Sequence, residues 1–199
     1  MKKITLRGAA VCALLAGALT VSACASMDND MGGMDSGSEA TVMVGGAAMY
    51  PSRNIVENAA NSADHTTLVA AVQAAGLAET LASPGPFTVF APTNAAFAKL
   101  PAGTVDSLVM PANKATLTKI LTYHVVPGRM SAADLMTAIR AGNGSARLTT
   151  VEGSVLTARM QGSNIVLTDE MGGMARVSQA DVFQSNGVIH VTDTVSMPN

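Results

Sequence analysis

The stretch GPFTVFAPTNAAF, residues 85–97, decides the fold of this chain. Residues 87–90 are apolar and β-prone, and Pro92 has no N–H to give a neighbouring strand, so the pattern predicts a strand that ends there. Thr93 can then cap a helix that carries Phe97. Three of the four phenylalanines in the chain lie in this stretch. We therefore expect it to supply the aromatic centre of the core.

Two further segments follow along the chain, LTYHVVPG at residues 121–128 and NGVIHVTDTV at residues 186–195. In residue type and order, the three segments resemble the first conserved box, the central Tyr-His motif and the second conserved box of a fasciclin (FAS1) domain. The resemblance runs from about Asn54 to Pro198. It implies a single α+β domain, an antiparallel β-wedge decorated by short helices. It also implies an extracytoplasmic adhesion or interaction module of a kind that is usually not an enzyme.

Helical patterns dominate the first half of the chain. Ser52 is a candidate cap for a helix over residues 53–61, and a second helix is expected to stop at Gly76. Pro111 can open a third helix, which is expected to run directly into an extended segment at 123–126.

The second half changes to a period of two, which is typical of strands. The predicted turns contain glycine, and Asn186-Gly187 is a strong turn dipeptide. Helices followed by strands indicate an α+β domain. The expected strands cover residues 148–151, 155–160, 165–168, 175–178 and 188–192.

The N-terminus predicts export. Residues 1–23 combine a basic start with an apolar stretch too short to span a bilayer comfortably, as in a signal peptide. The sequence Val-Ser-Ala-Cys ending at Cys24 resembles a bacterial lipobox, in which the cysteine is acylated. The alternative is ordinary secretion with cleavage near Ala23. Because Ala25 follows the cysteine, analogy with known lipoproteins favours the outer membrane.

Loss of residues 1–23 would remove three of the 12 Lys and Arg and none of the 14 Asp and Glu, leaving 9 − 14 = −5. An acidic chain without a basic cluster argues against nucleic-acid partners. Residues 24–48, rich in Met, Gly, Asp and Ser, are predicted to be a flexible tether, and residues 49–199 the fasciclin domain.

Tyr123 and His124 are the candidate partner-binding or structural residues. In animal members of the family this region has been linked to integrin-type adhesion. A histidine between an amphipathic helix and a strand is well placed to be buried, so we favour the structural role. His190 should face opposite to its neighbours and either shares a site with His124 or has no such role. His65 is expected at the surface or at a helix cap.

Metal and catalytic patterns are weak. Three histidines without close spacing argue against zinc, and the calcium-loop spacing that begins at Asp28 lacks an entering helix. Methionines in the tether and at 171–174 could bind Cu(I), which makes envelope copper handling the alternative function. No nucleophile elbow, HExxH or phosphate-loop motif occurs, so we predict neither an enzyme nor a cofactor. The expected protein is a monomeric lipoprotein, attached to the membrane through Cys24, that binds a protein or polysaccharide surface.

Overall fold

The computed structural model describes residues 41–199. Within this range the strands are β1 (Val42–Val44), β2 (Ala47–Met49), β3 (Phe87–Pro92), β4 (Val125–Pro127), β5 (Ser145–Thr149), β6 (Val155–Gln161), β7 (Asn164–Thr168), β8 (Met174–Gln184) and β9 (Gly187–Thr192). The α-helices are α1 (Ile55–Asn61), α2 (Thr66–Ala75), α3 (Ala78–Ala82), α4 (Asn94–Phe97), α5 (Thr104–Leu108), α6 (Lys114–Tyr123) and α7 (Ala132–Ala141). None of these helices is long and apolar enough to cross a membrane.

Strands β3 to β9 form one seven-stranded sheet in the order β4-β3-β9-β8-β7-β6-β5. All neighbouring pairs are antiparallel except β3 and β9, which run parallel from the Phe87–Gly187 pair to the Pro92–Thr192 pair. The Val151 N–H donates to the Val125 carbonyl (2.8 Å), which brings the two ends of the sheet together. The predicted α+β fold is therefore confirmed, with one parallel pair inside a mostly antiparallel sheet.

The two segments that resemble the fasciclin boxes, residues 85–97 and 186–195, meet in the parallel pair. A Cβ on Gly187 would collide with the Phe87 carbonyl oxygen and the Ile55 side chain, and a Cβ on Gly85 would collide with the Asn186 carbonyl oxygen. Only glycine allows the backbones to approach this closely. The glycines of the two boxes therefore fix how tightly β3 and β9 start together.

Both faces of the β3–β9 pair are buried. Alternate residues on one face, including Val89 and Ile189, join a cluster with α1, α2 and α6. On the other face, Phe90 joins a second cluster that contains α7 and the inner side of β5 to β8. Strands covered on both sides read as continuous apolar runs, as the two boxes do.

The prediction for the first box is confirmed. Pro92 is the last residue of β3, and the Thr93 side chain accepts a hydrogen bond from the Ala96 N–H at the start of α4. Phe90 is fully buried and Phe97 is 8% exposed. Phe90 and Phe97 thus lie in the core as expected, and the partly buried Phe87 packs against it.

Three predicted element boundaries are wrong. The cap of α1 is Asn54, which forms a reciprocal capping box with Glu57, whereas Ser52 precedes it. Pro111 opens a short 3₁₀ turn, and α6 starts only at Lys114. Tyr123 is the last residue of α6 and not part of an extended segment. In each case local side-chain bonding and helix propagation extend beyond what the residue pattern indicates.

The predicted boundary of the tether at residue 48 is also wrong. Strands β1 and β2 form a hairpin in which Val44 and Met49 are 3% and 2% exposed. The Ala63 N–H donates to the Gly45 carbonyl (3.3 Å), and this bond ties the hairpin to the segment after α1. The folded part of the chain therefore includes residues 42–48. Most of the predicted tether and the whole signal peptide lie outside the described residues.

Asn186 holds the second box against the helices. Its Oδ1 accepts the Ile55 N–H (3.0 Å), and its Nδ2 donates to the carbonyls of Leu81 (2.7 Å) and Ser83 (2.9 Å). The residue is 8% exposed. One side chain thus joins the β8–β9 turn to the start of α1 and the end of α3.

We expect Asn186→Ala to lower the free energy of unfolding by about 2–4 kcal/mol, because it leaves the buried Ile55 N–H and Leu81 carbonyl without their partner. The Ser83 carbonyl keeps its bond from the Gly85 N–H (2.8 Å). Urea unfolding at neutral pH measures this. Asn61→Ala is the matched control, since the exposed Asn61 makes a single side-chain bond to the Glu57 carbonyl (3.0 Å). Equal effects of the two substitutions would contradict the role assigned to Asn186.

Candidate functional site

The predicted Tyr-His motif lies at the junction of α6 and β4. Tyr123 is fully buried and His124 is 3% exposed. Their rings are edge-on, with centroids 6.4 Å apart. Neither ring presents a surface to a partner in this conformation.

His124 makes two hydrogen bonds that fix its protonation state. Nδ1 lies 2.8 Å from the Ile120 carbonyl oxygen, and Nε2 lies 3.1 Å from the Ser196 backbone nitrogen. A carbonyl can only accept and a backbone N–H can only donate, so Nδ1 carries the proton and Nε2 is the acceptor. The ring therefore links the end of α6 to the C-terminal segment as a neutral imidazole.

The electrostatics of His124 agree with this geometry. Burial lowers the pKa of His124 below 6.5, although the Ile120 carbonyl and the Asp169 carboxylate act in the opposite direction. Protonation would also place a second N–H against the Ser196 N–H. Both ring nitrogens are therefore engaged in hydrogen bonds to the backbone, and neither is free for acid–base chemistry.

Tyr123 belongs to the second cluster, and its hydroxyl group is bound by the antiparallel part of the sheet. Its hydroxyl donates to the Val155 carbonyl (3.1 Å) at the start of β6. Burial raises the pKa of Tyr123 to about 12, and the nearby Asp169, Glu170 and Glu152 carboxylates add to this effect. The phenol stays protonated and links α6 to the antiparallel part of the sheet.

His190, in the second box, links backbone segments through both ring nitrogens in the same way as His124 does. Its Nδ1 accepts the Asp181 N–H (3.3 Å), and its Nε2 lies 2.9 Å from the Met130 carbonyl oxygen, to which it donates. The ring stacks on Phe90 with a centroid separation of 5.6 Å. Burial lowers the pKa of His190 below 6.5, opposed by the Met130 carbonyl and the Asp181 carboxylate. As expected, His190 faces opposite to its neighbours in β9.

His124 and His190 do not share a site. Among the described residues their rings have no common hydrogen-bond partner, and each ring bonds to backbone groups of a different segment. The sequence left this question open, because residues 66 positions apart can meet or not depending on the packing of β9.

The prediction that His65 is a surface or capping residue is half right: it occupies the N-cap position of α2, although its side chain makes no cap hydrogen bond, and it is not at the surface. His65 is 2% exposed and its Nδ1 lies 2.9 Å from the Ser62 hydroxyl oxygen. Nε2 has no hydrogen-bond partner among the described residues. Burial lowers the pKa of His65, with the Ala91 backbone and the Asp64 carboxylate opposing the shift. The β1–β2 hairpin, which the sequence analysis missed, is what brings Val44 close and helps to bury this ring.

An apolar cavity lies between the helices and one face of β3 and β9. Its walls are almost wholly aliphatic, and its polar members are Gln73 and His124. His124 turns both ring nitrogens to the backbone, so it offers nothing to a ligand there. The cavity has no nucleophile or acid on its walls.

The described residues contain no cluster of His, Cys, Asp or Glu that could hold a metal ion. Met171 and Met174 lie in the β7–β8 hairpin and are 69% and 63% exposed, so their thioethers are open to solvent. The tether methionines, the calcium-like loop and Cys24 lie outside the described residues. Copper binding stays a prediction.

Sequence reasoning missed Asp169 as a structural centre. Its Oδ1 accepts the N–H groups of Met171 (3.1 Å) and Gly173 (2.6 Å), and its Oδ2 accepts the Met197 N–H (2.9 Å). A single carboxylate thus shapes the β7–β8 turn and holds the C-terminal segment that also reaches His124. The Asp-x-x-x-Gly spacing could have indicated that Asp169 shapes a turn. Nothing in the local sequence indicates its bond to Met197.

Comparison with known proteins settles the family. The family model described as the Fasciclin domain matches residues 63–198. The chain belongs to the fasciclin family. The match includes both boxes and the Tyr-His motif, so the resemblance predicted from the sequence is confirmed.

Fasciclin relatives are similar over most of the folded part. Protein sll1483 of Synechocystis is 48% identical over 160 residues, which are 80% of this chain and 82% of that protein. Immunogenic protein MPB70 of Mycobacterium bovis is 39% identical over 145 residues, 70% of this chain and 66% of that protein. The transforming growth factor-beta-induced protein ig-h3 of Sus scrofa is 37% identical over 131 residues, 66% of this chain but only 17% of that larger protein.

A solved fasciclin structure has the same fold. The FAS1 domain pair from the insect cell adhesion molecule Fasciclin I matches with a TM-score of 0.51 and 25% identity, over 63% of this chain and 42% of that one. The likeness covers one domain's worth of the pair.

We expect His124→Ala to lower the free energy of unfolding by about 2–4 kcal/mol, since it removes a buried ring and leaves the Ser196 N–H and the Ile120 carbonyl unpaired. Urea unfolding measures the change. Thr122→Ala, two residues away and only partly buried, is the control and should change stability by less than about 1 kcal/mol. Unchanged stability together with lost surface binding would make His124 a contact residue.

Stability should fall as the pH drops below 6.5. The pKa values of His65, His124 and His190 are all lowered in the folded state, so the unfolded chain binds more protons in this range. The stabilisation is complete above pH 6.5 and is lost as the pH falls towards the folded-state values, at up to about 1.4 kcal/mol per pH unit for each ring.

Urea titrations at pH 7.5 and 5.5 test this dependence. The carboxyls of Asp134 and Asp193 have pKa values lowered from 3.8, so their contribution is lost only in more acidic solution. His190→Gln should reduce the slope between pH 7.5 and 5.5, because it removes one titrating ring. A stability that does not change over this interval would contradict neutral buried histidines.

Proposed function

We propose that this chain is an exported lipoprotein whose fasciclin domain is a non-enzymatic adhesion or interaction module of the cell envelope. The observation that carries the proposal is the match of the fasciclin family model to residues 63–198. The likeness to a domain pair from an insect cell adhesion molecule supports it.

The geometry of the motif residues supports a binding role without catalysis. His124 and His190 each use both ring nitrogens in bonds to the backbone. A general base needs a free nitrogen within reach of a substrate proton, and neither ring offers one. We infer that Tyr123 and His124 stabilise the module and that its contacts with partners lie on the outer surface.

The attachment to the membrane is proposed to run through an acylated Cys24. Because the β1–β2 hairpin belongs to the folded part, the proposed tether would comprise residues 25–41, shorter than the sequence pattern alone suggests. A flexible chain of that length has an r.m.s. reach of about 20–25 Å. The module would then act close to the membrane that carries it.

The test combines location with attachment. Cells that produce the full chain should lose the domain to protease without permeabilisation, and they should attach to a polymer-coated surface several-fold better than cells without the gene. Cys24→Ala should release the domain from the membrane fraction and abolish the gain in attachment, because the soluble module no longer links cell to surface. Cys12→Ala, within the predicted signal peptide, is the matched control.

Protection of the domain in intact cells, combined with unchanged attachment after deletion of the gene, would contradict surface adhesion. Retention of the Cys24→Ala protein in the membrane fraction would contradict the lipid anchor alone.

A further inference from the structure

The outer face of β5 to β8 carries an unusual set of side chains. Strand alternation and register place thirteen residues on this face: three arginines, seven uncharged polar residues and three apolar ones. No aspartate or glutamate is among them. The residues between them along each strand, such as Leu156 and Leu167, point into the core and are fully buried. We call this surface the arginine face, after Arg147, Arg159 and Arg176.

The three arginines are close neighbours in the sheet. Arg159 on β6 is paired with Val166 on β7, which in turn is paired with Arg176 on β8. Two strand spacings separate the Arg159 and Arg176 backbones by about 10 Å. Arg147 lies on β5, the neighbouring strand on the other edge of β6. It is paired with Thr157, which is two residues from Arg159 on the same face. The guanidinium groups can therefore reach one extended ligand together.

Val166 lies between two of these arginines and is covered on the outer face. It points away from the core, yet it is only 6% exposed. Its cross-strand neighbours on both sides are Arg159 and Arg176, whose aliphatic stems can cover it while the charged ends stay in water. The arrangement orients the charged groups outward from a rigid sheet.

The charges on this face are not neutralised by the described part of the chain. The side chains of Arg147, Arg159 and Arg176 make no ion pair or hydrogen bond with residues 41–199. Asp193 is close to β8, but its carboxylate accepts the Arg176 backbone N–H (2.9 Å) and pairs with Lys99 (3.6 Å). Three cations without a partner among residues 41–199 thus lie side by side, in a chain with more acidic than basic residues.

We propose that the arginine face binds an anionic polysaccharide. This inference rests on the proposed function and names its partner class. Guanidinium groups bind carboxylate or sulfate through paired N–H donors. The intervening Ser, Thr, Asn and Gln side chains can hydrogen-bond to sugar hydroxyls. The partner is therefore a chain of acidic sugars lying across β6 to β8.

The surface fits other partners less well. A protein interface needs a desolvated anchor, usually aromatic, and no aromatic residue lies on this face. Single-stranded nucleic acid is bound through stacking on aromatic rings, which are likewise missing from it. A face without acids and with seven uncharged polar side chains favours a hydroxyl-rich anionic polymer.

Binding of the purified full chain to alginate and to heparin, by calorimetry at low salt, tests the proposal and separates carboxylate from sulfate recognition. Arg159→Gln/Arg176→Gln should weaken binding at least tenfold, since each charge-assisted bond contributes enough for several-fold in affinity. The affinity should also fall as salt rises. Arg140→Gln is the control, because Arg140 is exposed on α7, which packs against the inner side of the sheet. It should bind as the unchanged chain does.

The Arg159→Lys/Arg176→Lys variant keeps the positive charges but loses the paired N–H donors of the guanidinium groups. Its affinity should lie between those of the unchanged chain and the double glutamine variant. Thermal melting of each variant verifies that it folds. Failure of the unchanged chain to bind either polymer, equal loss in the Arg140→Gln control, or preferential binding of poly-glutamate or DNA would overturn the proposal. If the polymers do not bind but cells still attach, this inference is wrong and the proposed function stands. If the polymers bind but cells that produce the chain do not attach, the arginine face is a polysaccharide site and the proposed adhesion function is wrong.

Discussion

The parallel pairing of β3 with β9 is the constraint on which the rest of the structure depends. It joins strands that are one hundred residues apart in the sequence. Their backbones approach so closely at the start of the pair that only glycine fits at positions 85 and 187. Burial of both faces then follows, because helices α1, α2 and α6 cover one side and α7 with β5 to β8 the other. Asn186 adds hydrogen bonds that fix the helices relative to this pair.

Around the pair, buried polar side chains tie segments together that have no strand pairing of their own. His124 holds the C-terminal segment, His190 holds the segment after β4, and Asp169 holds both the β7–β8 turn and Met197. Each satisfies backbone groups that would otherwise be buried without partners, which is costly in an apolar interior. The neutral state of the histidines is therefore part of the fold, and acid weakens the same bonds that hold the segments.

Burial of the motif residues leaves binding to the outside of the domain. Tyr123, His124 and the core-facing side chains of both boxes lie in or between the two clusters, where they offer no surface to a partner. Box residues such as Ala95 and Asp193 do reach the surface. The outer face of β5 to β8, which no helix among residues 41–199 covers, is suited to present charges at fixed spacing, because each strand fixes its neighbours through backbone hydrogen bonds. The core thus determines where surface groups stand, and the surface groups determine what is bound.

The sequence by itself determined the α+β class, the family, the cap at Thr93 and the approximate strands of the second half, because these depend on local periodicity and on short motifs. It also contained signals that were not used, such as the Ser131–Asp134 capping box of α7. Only the tertiary structure decided that β3 and β9 run parallel, that His65 is buried beneath a hairpin, and that Arg147, Arg159 and Arg176 share one face. Those facts depend on register and on contacts between distant segments, for which a single sequence carries no local signal.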